Sequence, residues 1–401
     1  MAVVQVLMMM GLTMSLPLLP LFLEKDLGLA RGRDVELWAG LIAASSFLTV
    51  TIFTPIWGSL ADRYGRRIMV VRSTAAVGVF NLLVVLVTNQ YQLLAVRLGM
   101  GVLSGFGAAA TSLVGSVAPR ERLGYALGIL GTAQTVGVVF GPLLGGLIST
   151  YAGYRIAFLF TGVLSLAACL VAATLVREDF KPLTREEISA RPGLLRGLAA
   201  MARSRDLVVM FVVLALNRLT IGGIGPITSL YVGELAVRAD LVPTVAGLAL
   251  SVAGVGSAIT SPLLGRLADR VGYKPVLLTC LAGAAVLFLP QAWVTTAWQF
   301  LLLRFAFGLF SGGIQPAAYA IIGSAAPPGR QSAAYGLTFS ANAMGNFAGP
   351  VLSGLMAATF GLRPVFVYTA FIVAANAVWV ATRVRHVGGR RETKAGPDAS
   401  V

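Results

Sequence analysis

The chain has 401 residues, of which 57% are hydrophobic and 12% are charged. Soluble globular proteins contain about 45–50% apolar and about 25% charged residues, and the mean hydropathy of +0.83 excludes that class. The 31 Lys and Arg residues against 16 Asp and Glu residues give a formal net charge of +15, which in a soluble protein would indicate a nucleic-acid or acidic partner. In a membrane protein this excess is a topology signal, so no nucleic-acid partner is predicted.

Twelve stretches are apolar and long enough to cross a bilayer, which takes about 20 helical residues. The first lacks a basic segment and a small-residue cleavage site, so it is interpreted as a membrane helix and not as a signal peptide. The sequence therefore predicts an all-α membrane protein with twelve transmembrane helices and both termini on one side. The predicted spans are 2–23, 36–60, 68–87, 92–116, 124–149, 153–176, 207–233, 241–265, 276–293, 297–324, 334–360 and 363–382.

Basic residues are unevenly divided between the two sets of loops. Loops and the adjoining ends of spans carry 22 of the 31 Lys and Arg residues on the side of the termini and 6 on the opposite side, and the other 3 lie deeper within spans. Because basic loops stay in the cytoplasm, both termini are predicted to be cytoplasmic, and the same loops can bind anionic membrane lipids. Cys169 and Cys280 lie in apolar runs, so neither a disulfide nor a metal site is predicted.

Three features of the first half of the chain recur in the second half, each 207 or 208 residues later. They are GSLADRYGRR at 58–67 with GRLADRVGYK at 265–274, Arg97 with Arg304, and FGPLLGG at 140–146 with AGPVLSG at 348–354. This repeat predicts two pseudo-symmetric six-helix halves, an arrangement that places the substrate site of a carrier between the halves. The predicted parts are an N-terminal half at 1–176, a linker at 177–206, a C-terminal half at 207–384 and a tail at 385–401.

The loop after span 2 carries a charged turn, and a weaker copy follows span 8. Gly65 supplies a turn with positive φ, and the carboxylate of Asp62 can accept hydrogen bonds from neighbouring arginines. In the second copy Tyr273 stands where the first has Arg66. A charged turn that only orients the loop is the alternative interpretation. The residues are Gly58, Asp62, Arg63, Gly65, Arg66 and Arg67 in the first copy and Gly265, Asp269, Arg270 and Gly272 in the second.

Span 5 carries glycines at a spacing that places them on one helix face. Gly137, Gly141 and Gly145 recur every four residues, which lets another helix approach closely. Pro142 bends the helix because it removes a backbone hydrogen bond, and Gly146 completes the pattern GxxxGPxxGG. A purely structural packing stripe would explain the glycines but not the complete pattern.

Three arginines lie within predicted spans and are not assigned to the adjoining loops. Each costs about 2.5–3.5 kcal/mol on insertion scales, so a function is expected for them. Arg97 and Arg304 occupy equivalent places in spans 4 and 10, and Arg218 lies near the middle of span 7. Each either has a functional role, which for Arg218 is to receive an anionic substrate group, or satisfies carbonyl groups of neighbouring helices. The other polar candidates for a substrate cavity, beside Arg218 and Arg304, are Gln134, Asn217, Gln315, Asn342 and Asn346.

No acidic residue lies near the middle of a predicted span. All sixteen Asp and Glu residues are in loops or at the ends of helices, and the single histidine, His386, is in the tail. If protons drive the protein, the predicted titrating groups are Asp62 on the side of the termini and Glu24 or Glu234 at the opposite ends of spans 1 and 7. No metal or cofactor is predicted.

These motifs resemble those of the major facilitator superfamily, and in particular of its twelve-span drug:proton antiporters. The turn after span 2 resembles motif A, span 5 resembles the antiporter motif C, and Arg97 with the glycines after it resembles motif B. The similarity to bacterial multidrug exporters of the MdtG type covers the chain from span 1 to span 12. It is carried further by LPLLPLFLEKDLGL at 16–29, the segment 38–67 and GGIGPITSLYVGEL at 222–235.

The resemblance implies a fold, a membrane and several residue roles. It implies the major facilitator fold in the bacterial cytoplasmic membrane, and a latch at Asp62 and its neighbouring arginines that joins the halves in the outward-facing state. It also implies that Arg97 assists proton transfer. One departure is Arg218, whose position is polar but uncharged in those relatives.

The predicted function is proton-coupled efflux of amphipathic drugs by a monomer that alternates access to the two sides. One alternative is an exporter of a specific anionic metabolite or antibiotic, favoured by three arginines within spans that contain no acid. A second alternative is a uniporter without proton coupling. An enzyme is disfavoured because the sequence has no Ser/His/Asp, metal-ligand or phosphate-loop constellation, so no catalytic residue is predicted.

Overall fold

The computed structural model describes residues 1–118, 122–178, 205–235, 237–325 and 331–384. Within these ranges, residues 62, 123–124, 205–206, 324–325, 331–337 and 339 are described by their backbone alone. The predicted linker at 177–206 lies outside these residues apart from its ends. The predicted tail at 385–401 lies wholly outside them.

The helices follow the predicted spans in order, and three spans are broken into two helices each. The N-terminal half contains α1a (Ala2–Met14), α1b (Leu19–Lys25), α2 (Arg33–Tyr64), α3 (Arg66–Val84), α4a (Gln90–Leu103), α4b (Phe106–Val117), α5 (Leu123–Ala152) and α6 (Tyr154–Leu175). The C-terminal half contains α7 (Arg205–Val232), α8 (Val242–Val271), α9 (Tyr273–Gln291), α10a (Ala297–Ser311), α10b (Ile314–Ala325), α11 (Gln331–Phe360) and α12 (Leu362–Arg383).

The architecture confirms the prediction of an all-helical protein with twelve membrane crossings. Within the described residues, ten segments are long and apolar enough to cross a membrane, and α1a with α1b, which meet at 43°, form an eleventh. The 30-residue helix α11 occupies the place of predicted span 11. We call the membrane surface at which α1a begins the terminal face and the opposite surface the distal face.

Single glycines connect neighbouring helices at equivalent points of the two halves. Gly65 joins α2 to α3 and Gly272 joins α8 to α9, with φ of +99° and +109°. Gly153 and Gly361 join α5 to α6 and α11 to α12, with φ of +91° and +88°. Glycine adopts these angles without the strain that a side chain would cause. The spacing of 207 and 208 residues shows that the repeat in sequence is also a repeat in structure.

Helix α4 is broken at Gly105, which has a φ of +107°, where the sequence predicted one continuous span. The carbonyl group of Ser104 accepts a hydrogen bond from Arg72 Nη2 at 2.9 Å. The carbonyl group of Val102 accepts one from Trp57 Nε1 at 2.6 Å, and Arg72 stacks 3.5 Å above the Trp57 ring. The break is tolerated inside the membrane because neighbouring helices satisfy the freed carbonyl groups.

The buried apolar side chains form two clusters. The larger cluster joins both halves and includes Phe22 and Phe158 from the N-terminal half and Tyr231 and Phe366 from the C-terminal half. All four lie in the distal parts of their helices. The smaller cluster, to which Val4 belongs, contains described residues of the N-terminal half only and lies toward the terminal face. The halves therefore share a core toward the distal face.

Candidate functional site

Two pairs of helices close the interface between the halves toward the distal face. A β-carbon on Gly40 of α2 would overlap the carbonyl oxygen of Pro350 in α11, and one on Gly247 of α8 would overlap that of Pro142 in α5. The glycines are 207 residues apart and the prolines 208, so the two contacts are equivalent under the repeat. The backbones touch because neither glycine carries a side chain. We call these four residues the distal gate.

Further contacts extend the closed region toward the distal face. Gly146 packs against Thr244, whose hydroxyl oxygen lies 2.7 Å from that of Thr150. On the equivalent pair of helices, a β-carbon on Gly354 would lie 2.7 Å from the carbonyl oxygen of Glu36. The distal ends of α5 and α8, and of α2 and α11, are therefore packed as closely as helices within one half.

The same helices diverge toward the terminal face. β-Carbons on Gly58 of α2, and on Gly128 and Gly131 of α5, would have no atom within 4 Å. The side chain of Gln134, one turn further along α5, is exposed. The interface between the described helices is thus a cleft that is closed by the distal gate and open toward the terminal face.

The charged turn after α2 is bound to α6 of the same half. The backbone N–H groups of Arg66 and Arg67 donate to the two carboxylate oxygens of Glu178 at 3.1 and 2.7 Å. The guanidinium of Arg67 also donates to the carbonyl group of Ala173, and Arg63 lies 5.4 Å from the ring centre of Tyr64. A carboxylate is favourable here because the N-terminus of α3 presents free N–H groups.

The second copy of the motif makes an equivalent contact in the C-terminal half. Lys274, the counterpart of Arg67, donates from Nζ to two carbonyl groups at the end of α12, at 2.9 and 2.6 Å. The hydroxyl group of Tyr273 donates to Asp269 at 3.1 Å, and Arg270 is exposed. The last basic residue of each copy therefore donates to carbonyl groups at the end of the last helix of its own half.

Glu178→Gln is expected to reduce the stability of the N-terminal half by about 0.5–1 kcal/mol, because the carboxylate charge at the start of α3 is removed. Thermal unfolding of the purified protein measures this loss. Asp240→Asn, at an exposed residue paired with Arg238, is the control and should leave the unfolding temperature unchanged. An unfolding temperature of Glu178→Gln equal to that of the unaltered protein would contradict the assigned contact.

The glycines of α5 pack against two different helices. β-Carbons on Gly137, Gly141 and Gly145 would meet α1a, at Met9 and Met10, at Thr13 and at Met14 respectively. Pro142 and Gly146 instead contact α8 of the other half. The stripe that recurs every four residues therefore packs within the N-terminal half, while the remaining two motif residues take part in closing the interface.

Two of the three arginines within spans are sealed inside their halves. Arg97 is 8% exposed and lies 5.7 Å from the ring centre of Phe158, and Arg304 is 5% exposed and lies 5.3 Å from that of Phe307. The Nε atoms of both arginines are buried without a hydrogen-bond partner in the part of the chain that the structure describes. Both arginines therefore lie apart from the open cleft.

Arg218 lies in a polar cluster that joins three helices of the C-terminal half. Its Nε donates to Asn342 Oδ1 on α11 at 3.2 Å. The hydroxyl group of Tyr319 on α10b accepts from Asn342 Nδ2 and from Gln315 Nε2, both at 3.4 Å. All four side chains are partly exposed. We call Arg218, Gln315, Tyr319 and Asn342 the Arg218 cluster.

The other predicted cavity residues lie in different surroundings. Asn346 lies on α11 beside Gly222, where a β-carbon would be 3.4 Å from Asn346 Oδ1, one turn from Asn342. Gln134 faces open space on α5. Asn217 is 6% exposed and does not join the Arg218 cluster, although it precedes Arg218 in the chain.

The carboxylates at the distal face lie beside the closed region. Glu24 lies 4.0 Å from Arg31, and Arg31 Nη2 would lie 3.1 Å from a β-carbon on Gly233, the residue before Glu234. Arg31 thus reaches from the N-terminal half to the end of α7. Asp26 pairs with Arg155 at 3.6 Å. Burial raises the pKa of the Asp26 carboxyl group, and the positive charge of Arg155 opposes this rise.

Three contributors to this site were not singled out from the sequence. Gly40 and Gly247 share the 207-residue offset of the other repeats, which is a signal that would have found them. The third contributor is Tyr319. Its place at the centre of the cluster depends on the approach of α10b to α11, for which the sequence carries no signal.

Residues 1–238 and residues 210–400 each match the profile of the Major Facilitator Superfamily. The chain belongs to the major facilitator superfamily. It is 34% identical to the "Multidrug resistance protein MdtG" of Enterobacter lignolyticus (94% of this chain, 89% of that one). It is also 34% identical to the protein of the same name from Citrobacter koseri (96% and 93%).

Solved structures of the superfamily have the same fold. The nucleoside transporter NupG matches with a TM-score of 0.77 at 13% identity, over 96% of this chain and 98% of that one. A bacterial homologue of the human lysosomal transporter Spinster, in an inward-facing and unoccupied conformation, matches with a TM-score of 0.74 at 16% identity, over 94% of each chain. As a superfamily member, the chain is an integral membrane transporter and not an enzyme.

Proposed function

We propose that this chain exports amphipathic drugs from the cytoplasm, by alternating access, in exchange for protons. The observation that carries the proposal is the cleft between the halves, closed by the distal gate and open toward the terminal face. With both termini in the cytoplasm, as the basic loops predict, this is the inward-facing conformation. A drug exporter loads its substrate in that conformation.

The relatives and the composition of the cleft support drug export. Two relatives that cover nearly the whole chain are multidrug resistance proteins. The polar candidates Gln134, Asn342 and Asn346 are few and are set among apolar residues, which suits ligands that are mostly apolar with a few polar groups. The pathway runs between two halves of one chain, so the protein works as a monomer surrounded by lipid.

Proton coupling in this proposal acts at the two ends of the cleft. Glu24 and Glu234 lie at the closed distal end on either side of Arg31, and Asp62 lies at the open end in the motif that resembles a latch. A proton drives transport only if it binds one conformation more tightly than the other. Protonation changes the charge beside the distal gate or at the open end of the cleft, while the buried Arg97 assists proton transfer within the N-terminal half.

The test is drug-induced proton release from proteoliposomes with an acidic interior. Lipophilic cations, neutral drugs and organic anions are added in turn to the unaltered protein and to Asp62→Asn, Glu24→Gln and Glu234→Gln. We expect release with the unaltered protein and its loss in Asp62→Asn, with folding retained, while Asp240→Asn behaves as unaltered. Drug flux without proton movement would show a uniporter, and normal coupling in all three variants would overturn the assigned carboxylates.

A further inference from the structure

Of Arg97, Arg218 and Arg304, only Arg218 is partly exposed in the described structure. It stands at the middle of the 28-residue helix α7, and its β-carbon lies against Gly345 of α11. Arg97 and Arg304, by contrast, are 8% and 5% exposed. Of these three arginines, Arg218 is therefore the one whose side chain is accessible to a ligand.

The positive charge of Arg218 has no negative partner in the described structure. An arginine carries five N–H donors, and among the described residues this one donates to Asn342 through Nε. Asn342, Gln315 and Tyr319 are neutral, and the acidic residues of the chain lie in loops or at helix ends. The neutral cluster orients the guanidinium. The described residues supply no acceptor for its terminal N–H groups, and these are the groups that bind a carboxylate or sulfonate in pairs.

The repeat shows that Arg218 is not part of the framework that both halves share. The dipeptide Leu-Thr at 12–13 returns at 219–220, so the offset of 207 residues pairs Arg218 with Gly11. Arg97 and Arg304, in contrast, are counterparts of each other in the two halves. A structural role that is common to the two halves explains that pair. It does not explain Arg218, which has no arginine counterpart.

We propose that Arg218 binds the anionic group of the substrate, so that the preferred substrates are amphipathic organic anions. This inference rests on the proposed function and specifies its substrate class. Asn342 is a positioning residue that holds the guanidinium toward the cleft. The absence of an acid near the middle of the spans fits this class, because the inside-negative membrane potential drives anions outward without a carboxylate at the substrate site.

Two fluorescent probes that differ in one group test the inference. Dansic acid carries a sulfonate, and dansylamide carries a neutral sulfonamide on the same ring system. Their transport is measured in proteoliposomes with the unaltered protein, Arg218→Gln, Arg218→Lys and, as a control, Arg383→Gln at the exposed terminal end of α12. We expect Arg218→Gln to lower dansic acid transport about tenfold or more and dansylamide transport by less than about twofold.

The remaining variants and a competition assay distinguish an effect of the lost charge from an effect on folding. Arg218→Lys should give an intermediate rate with dansic acid because it keeps the charge and loses the fork of donors. Arg383→Gln should transport both probes as the unaltered protein does. On the unaltered protein, benzenesulfonate should compete with dansic acid and phenyltrimethylammonium should not, a result that requires no variant to fold.

The outcomes distinguish this inference from the proposed function. An equal fall for both probes in Arg218→Gln, or competition by phenyltrimethylammonium alone, would overturn the anion site. Transport of dansylamide with proton movement but no transport of dansic acid would overturn it while supporting proton-coupled export. Arg218-dependent transport of dansic acid without proton movement would support the anion site and overturn proton coupling. Transport of neither probe would overturn the anion site, and the lipophilic cations then test drug export separately.

Discussion

Gly247→Val is expected to reduce drug transport about tenfold or more while the protein remains folded. A β-carbon at this position overlaps the carbonyl oxygen of Pro142 in the closed distal gate. Overpacking of this kind costs about 1–3 kcal/mol. Because the contact joins the two halves, the cost applies only while the distal gate is closed. A cost of this size shifts the balance between conformations by about 5–150-fold, in favour of a gate open to the distal face.

Transport and labelling together measure this shift. A cysteine placed at Thr150, beside the gate, should react faster with an impermeant maleimide from the distal face in Gly247→Val than in the parent. Ala167→Val, on the exposed face of α6, also introduces a valine, adding two carbons where Gly247→Val adds three, and should leave both measurements unchanged. Normal transport and unchanged labelling in Gly247→Val would show that the gate does not need to close this tightly.

Gly141→Leu is expected to lower the stability of the N-terminal half without opening the distal gate. A β-carbon here would overlap Thr13 Oγ1 and lie 2.7 Å from the carbonyl oxygen of Met10. Both residues belong to α1a of the same half, so the contact is present in either conformation. Overpacking should cost about 1–3 kcal/mol, seen as a lower temperature of thermal unfolding and a lower yield of folded protein.

A double-mutant comparison identifies the contact responsible. Thr13→Ala removes the nearest atom. Gly141→Ala should therefore lower the unfolding temperature less in a Thr13→Ala background than in the unaltered protein. The cysteine at Thr150 should be labelled at the parental rate in all of these variants. Faster labelling with unchanged stability would mean that Gly141 acts between the halves, as Gly247 does.

These two glycines show where sequence interpretation reached its limit. The spacing of Gly137, Gly141 and Gly145 indicates that some helix approaches α5 closely, because only small residues allow that distance. It does not indicate which helix, since α1a and α8 lie on two sides of α5 and both accept glycine contacts. The division of the motif between packing within one half and closing the interface depends on the positions of all the helices around α5.

The same limit applies to the arginines. Insertion into the membrane costs about the same for Arg97, Arg218 and Arg304, so this cost does not distinguish the three arginines. Only the arrangement of helices seals two of them and leaves the third exposed. The contact of Arg218 with Asn342 joins residues 124 positions apart in the chain, and no local pattern predicts it.

The sequence by itself determined the twelve spans, the two halves and the register that relates them, because apolar length and internal repetition are properties of the chain alone. The tertiary structure decided which face of the membrane is closed, which glycines close it and which arginine a ligand can reach. The physical reason is that these properties depend on the packing of one half against the other. That packing differs between the two conformations of a transporter although the sequence is the same in both.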